Sequence, residues 1–170
     1  IGVVEEDLSE TIQVPTVSNE TGSRDRILEA SRAEQILDWL ATDAFGSFDH
    51  LVIRLLWRTG MRVGEVRAID CRDYDSDEQW LRIRHRPEQG TPLKNGDNGE
   101  RIVNLNDRSC NVVDEYLADY RDDVTDEHGR EPLLTTAHGR PSTTTFRRHV
   151  YRCTQPCQRT GACPHDVDMD

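Results

Sequence analysis

The stretch Leu55-Leu56-Trp57-Arg58-Thr59-Gly60-Met61-Arg62-Val63-Gly64-Glu65 decides how this chain is read. Upstream of it, Leu51, Val52, Leu55 and Leu56 recur at helical spacing, and Ser47 stands where it can cap the helix they define. Gly60 suits the left-handed residue just past the end of that helix. A short second helix opens at Arg62 and runs to about Ile69. An arginine at a helix start directs its planar fork, together with the helix's free N–H groups, toward an anion.

Working outward, residues 79–86 alternate Trp80, Arg82 and Arg84 with Leu81, Ile83 and His85, which is the period of a strand with one buried face. Residues 101–105 alternate as well. Between them lie Thr91-Pro92-Leu93-Lys94 and the turn-rich Asn95-Gly96-Asp97-Asn98-Gly99, so two or three short antiparallel strands form a small sheet with Lys94 beside its loop. Lys94 is the only lysine, against twenty arginines. Most turn lysines are solvated surface groups, but a chain that has replaced lysine everywhere else has reason to keep this one for chemistry.

The remaining periodic segments are helical. Ser31-Arg32-Ala33-Glu34 has the form of a capping box, and Ala33, Ile36, Leu37 and Leu40 follow on one face. Asn106 or Asp107 starts a helix with Cys110, Val113, Tyr116, Leu117 and Tyr120 on one stripe. Leu133 and Leu134 suggest a buried turn or strand. Ser142 caps a last helix reaching about Arg152, anchored by Phe146 and Val150. The fold class is therefore mainly α with a small antiparallel β-sheet (α+β). Residues 1–24 lack a sustained period and read as a linker or the tail of a domain that is absent, residues 25–152 as the domain itself, and 153–170 as a Cys-rich tail, disordered or metal-binding.

Thirty-two acidic residues against twenty-one basic ones give a net charge of -11, which ordinarily argues against nucleic acid. Scarce lysine with abundant Asp and Glu instead fits a cytoplasm of molar salt. There the Debye length falls to about 3 Å and carboxylate repulsion is screened. The same screening removes most of the gain from counterion release, so any DNA contact must be close and well aligned, a task suited to arginine. No segment reaches the length of a membrane span and no signal peptide is evident, so a cytoplasmic location is expected. Cys153, Cys157, Cys163 and His165 offer three thiolates and an imidazole, the donor set of a structural zinc site, although their spacing is irregular. Free cytosolic thiols are the alternative.

The Arg62 segment and the Lys94 turn, in this order, resemble the catalytic domain of tyrosine recombinases, the phage integrase family. The wording of Arg58-Thr59-Gly60-Met61-Arg62-Val63-Gly64-Glu65 is similar to haloarchaeal members. The resemblance implies site-specific DNA cleavage and rejoining through a phosphotyrosyl intermediate on double-stranded DNA, by a tetramer and with no required cofactor. It assigns Arg62 to clamping the phosphate, Lys94 to protonating the leaving oxygen, and Glu65 to an orienting role, the alternative for Glu65 being a helix N-terminal acid interacting with the dipole. Arg84, Arg86, Arg140, Arg147 and Arg148 are candidates for backbone contacts or for pairing with carboxylates. His149-Val150-Tyr151-Arg152 has the spacing of the family's His-x-x-Arg box, but only eighteen residues follow it. The pair is therefore placed on the helix before that box, Tyr74, Tyr116, Tyr120 and Tyr151 are given no nucleophilic role, and the domain is expected to be incomplete and inactive by itself. A non-catalytic DNA-binding or interaction module retaining the fold is the rival reading.

Overall fold

The computed structural model describes residues 28–155, so the expected linker over 1–24 and the positions Cys157, Cys163 and His165 lie outside it. Helix α1 (Ala30–Asp43) is followed by α2 (Phe48–Thr59) and the short α3 (Val63–Ala68). Three strands, β1 (Tyr74–Asp75), β2 (Trp80–Ile83) and β3 (Arg101–Asn104), then form an antiparallel sheet in the order β1-β2-β3. Helices α4 (Asp107–Glu115) and α5 (Thr143–Thr154) complete the described chain. The mainly helical architecture with one small sheet is the expected one.

Helix α2 is the centre of the molecule. Residues His50 to Leu55 are all buried on it, and α1, α3, α4 and α5 all pack against it. Its start is fixed by the Ser47 side chain, which accepts the His50 N–H at 3.2 Å. Its end is fixed by Gly60, left-handed at φ 66°, whose N–H reaches the Leu56 carbonyl at 3.2 Å. Around α2 one core gathers Leu51, Val52, Leu55, Val66, Leu81, Val113 and Phe146, while Ile36, Leu37, Leu40, Ile53 and Cys153 close a second cluster under α1. Trp57 is half-buried, and its indole N–H donates to Glu34 at 3.1 Å.

Three local expectations change. Helix α1 begins at Ala30 rather than behind a Ser31 box, since the Glu29 carbonyl already accepts from both Arg32 and Ala33 at 3.0 Å. The third strand is Tyr74–Asp75, paired Tyr74 to Leu81 and Asp75 to Trp80, whereas Thr91 makes only a bridge to Arg86. After α4 the chain makes a π-turn, Tyr116–Tyr120, with the Arg121 N–H on the Tyr116 carbonyl at 2.8 Å. That extra residue rotates Tyr120 off the apolar stripe, leaving it 49% exposed while Tyr116 is buried.

Gly46 and Gly60 share a left-handed backbone but not an environment. A methyl on Gly46 would lie 2.2 Å from Glu115 Cγ, whereas one on Gly60 meets nothing within 4 Å. Gly60→Ala is expected to cost roughly 1 kcal/mol of backbone strain, and Gly46→Ala about 1–3 kcal/mol more through overpacking. The difference between their urea midpoints measures this, and equal losses would remove the steric account.

Candidate active site

Arg62 occupies the N-cap of α3 with extended backbone, φ -74° and ψ 153°. Its carbonyl accepts the Glu65 N–H at 2.9 Å, and its own N–H donates to Glu65 Oε2 at 2.8 Å. These reciprocal bonds hold the first turn of α3. The guanidinium is 55% exposed and stands 3.5 Å from Glu65 Oε1, so most of its donors face outward.

Lys94 lies in the turn between β2 and β3, exposed and without an ion-pair partner among the described residues. The segment around it is firmly seated. Leu93 is buried, its N–H donates to His85 Nδ1 at 2.8 Å, and its carbonyl accepts from Gly96 at 3.1 Å. Gly99 lies against Leu93, and a methyl there would approach Leu93 Cδ1 to 3.2 Å. The turn that carries Lys94 is a packed loop ending in the tight turn Gly96–Gly99.

Arg101 joins the two halves. Its fork donates to Glu65 Oε1 and Oε2, each at 3.0 Å, and also to the Gly99 carbonyl at 3.1 Å. The buried Glu65 carboxylate therefore holds the backbone of Arg62 on one side and the exit of the Lys94 loop on the other. Hydrogen bonding from Arg101 is the main reason this carboxyl sits below the ordinary glutamate range, helped by the Arg62 N–H and both charges, with burial opposing. Sequence reasoning saw Arg101 only as a strand residue. The signal that could have found it is an arginine beside Glu100 at the first position of β3, opposite a motif glutamate that needs a partner.

The other candidate arginines separate cleanly. Arg84 pairs with Glu100 at 3.2 Å, and Arg86 forks onto Asp73 at 2.8 and 2.7 Å. Arg140, expected as a DNA contact, is corrected: its side chain is 4% exposed and its donors are spent on Asp70, on Asp126 at 3.0 Å and on the carbonyls of Arg67 and Ile69. Arg147 and Arg148 remain. They line an open groove on α5 with Thr144, Tyr151, Arg152 and Gln155 and have no carboxylate partner among the described residues. His149 and Arg152 both hold Asp49, in the first turn of α2, so their role here is to clamp α5 to α2.

Two tyrosine hydroxyls are held away from ionisation. Burial and a hydrogen bond to Asp114 push the Tyr74 hydroxyl far up, and burial raises that of Tyr116, which is spent on Thr135. Cys153 is buried against Ile36, Leu37 and Leu40; no cluster of three metal-ligating side chains occurs among the described residues. None of their helices is long and apolar enough to cross a membrane.

Comparison with known proteins gives the family and the fold. The family model for the phage integrase family matches residues 26–165. The chain belongs to the phage integrase family. It is 27% identical over 134 residues to tyrosine recombinase XerD of Staphylococcus haemolyticus (strain JCSC1435), covering 76% of this chain and 42% of that protein. This integrase-family chain thus spans less than half the length of that relative. Among solved structures, XerA recombinase superposes with a TM-score of 0.59 at 19% identity, over 85% of this chain and 47% of that one. The Tn1549 transposon integrase, solved in complex with a circular intermediate DNA, gives 0.56 at 17% identity, over 95% and 54%. At those identities the likeness establishes the shared fold.

Two measurements follow. Arg101→Leu strands the Glu65 carboxylate and is expected to cost about 1–3 kcal/mol in urea unfolding, below the loss for a fully buried pair because Arg101 is 39% exposed. Arg101→Lys should recover part of this, and a neutral Leu variant would contradict the link. The second concerns acid. Burial opposes ionisation of Asp126, but N–H bonds from Arg130 and His128, the Arg140 fork and the Arg130 charge outweigh it and hold the carboxyl at about 2. A depressed folded value stabilises the protein above the unfolded range, near 4, and that contribution fades as pH falls toward 2. Asp126→Asn should flatten the pH dependence of the urea midpoint across that window; an unchanged slope would rule out this source.

Proposed function

We propose that the chain is part of the catalytic domain of a site-specific tyrosine recombinase of haloarchaeal type, acting on double-stranded DNA in the cytoplasm as a tetramer. Arg62 clamps the non-bridging oxygens of the scissile phosphate, because its fork is largely exposed at a helix start where bidentate contact is strongest. Lys94 delivers a proton to the departing 5′ oxygen. Glu65 orients both. Arg147 and Arg148 add contacts to the DNA backbone from α5. Tyr74, Tyr116, Tyr120 and Tyr151 are assigned no nucleophilic role. The reaction requires no metal or nucleotide cofactor, since the phosphotyrosyl link conserves the energy of the broken phosphodiester.

The observation that carries this reading is the shared Glu65 carboxylate, bonded to the Arg62 backbone and, through Arg101, to the strand that leaves the Lys94 loop. A fold with no use for both cations together has no need to register their two segments on one buried acid.

The test is covalent protein–DNA complex formation by the full-length protein on a suicide duplex at molar KCl. Arg62→Ala is expected to lower the rate by about 10²–10³, the scale of removing one charge-stabilising donor, and Lys94→Ala by about 10²–10⁴, the scale of losing a general acid. Unimpaired cleavage by both variants overturns the assignment. DNA binding by the intact wild-type protein with no cleavage on any duplex points to a module that keeps the fold without the chemistry.

A further inference from the structure

On the central helix, two buried polar atoms have no partner among the described residues: Nε2 of His50 and Nη1 of Arg54. The two side chains are 0% and 1% exposed. They are four residues apart on α2, which places their Cβ atoms roughly 5–6 Å apart on one face. His50 Nδ1 accepts the Gly46 N–H at 3.3 Å, so the ring proton resides on Nε2. Both unpartnered atoms are therefore donors, and neither has an acceptor.

The charge balance points the same way. Arg54 makes one side-chain bond, from Nε to Ser109 Oγ at 3.1 Å, and no carboxylate lies within 4 Å of its guanidinium among the described residues. Its charged neighbours are mainly cations. Arg108 and Arg58 both disfavour its charge, and the single acid that favours it, Glu34, already accepts from Arg58 at 2.6 Å and from Trp57 at 3.1 Å. Burial, then Arg54 and Arg108, lower the His50 ring to about 4, so it is neutral near pH 7. An enclosed guanidinium with no counter-charge costs several kcal/mol, and each buried N–H without an acceptor adds to that cost. Water can accept from both donors but brings no charge. A monatomic anion accepts from any direction, needs no donor of its own and neutralises the cation.

We propose that this junction of α1, α2 and α4 binds one halide ion, chloride under physiological conditions, between His50 Nε2 and Arg54 Nη1. The ion would act as an internal counter-charge for the central helix. Its role is structural and independent of the DNA chemistry assigned above.

Thermal unfolding of the 170-residue chain in chloride or bromide, against gluconate at equal molar ionic strength, tests this directly. A saturable halide advantage is expected, roughly 5–10 °C when the halide exceeds its Kd about a hundredfold. Arg54→Met should abolish that advantage, and an equal advantage in the variant would reassign it to bulk salt and overturn the proposal. Crystals of the unaltered chain grown in bromide give a second measurement that does not depend on the variant folding. An anomalous peak in contact with both nitrogens is expected; a water there, or no peak, overturns the site.

Discussion

The carboxylate of Glu65 is the constraint on which the rest of the site depends. It is buried, so it cannot be left unpaired, and its partners come from two directions: the Arg62 N–H at 2.8 Å and both terminal nitrogens of Arg101 at 3.0 Å. Helix starts and strand–loop junctions ordinarily move independently by an ångström or more. Here a shift of either would expose a desolvated charge, which costs more than the small motions a loop makes freely. Arg101 also holds the Gly99 carbonyl, and Gly99 in turn lies on Leu93, next to Lys94. One acid thus bonds directly to the backbone of Arg62 and, through Arg101, to the strand that follows the Lys94 loop.

A second cluster applies the same physics to the back of α3. Asp70, Asp73 and Asp126 take the forks of Arg86, Arg130 and Arg140, and Arg140 also reaches the carbonyls of Arg67 and Ile69 at the end of the helix. The long segment between α4 and α5 has little regular structure, and this cluster attaches it to the domain together with the buried Leu133 and Leu134 and the Leu133 N–H on the Ile69 carbonyl at 3.0 Å. An ammonium could replace the charge of each arginine but not its simultaneous reach to two oxygens on different groups. Conversion of nearly all basic positions to arginine therefore has a structural outlet beside any adaptation to salt.

Much of the fold was legible because it rests on local rules. The Ser47 cap, the Gly60 stop, the Arg62 restart, the alternation about Leu81 and Ile83 and the Ser142 cap all appear where residue type and spacing place them. The misses have two causes: local pairings too brief to leave a pattern in residue type, and side-chain partners far away in sequence. Tyr74–Asp75 is too short for alternation to register and becomes a strand only because Trp80 and Leu81 lie opposite. Tyr120 leaves the apolar stripe through a π-turn that no composition signals. Arg101 and Arg140 look alike as exposed basic residues in the sequence, yet their acids lie 36 and 70 residues away and make one a link within the site and the other a core ion pair. Arg62 and Lys94 were found by motif, whereas the acid–arginine bridge that relates them emerges only from the three-dimensional pairing.

That distinction bears on how an acidic protein can present cations to an anion. With a net charge of -11, the overall charge draws no anion to the surface, and at molar salt a positive field would in any case be screened within a few ångströms. What survives screening is short-range geometry. Arg86 and Arg140 are withdrawn into pairs with buried carboxylates, Arg62 meets Glu65 at 3.5 Å with its fork still 55% exposed, and Arg147, Arg148 and Lys94 are exposed without a carboxylate partner among the described residues. Selectivity then arises from which cations the fold leaves unneutralised, and that choice is made by the buried acids rather than by the overall charge.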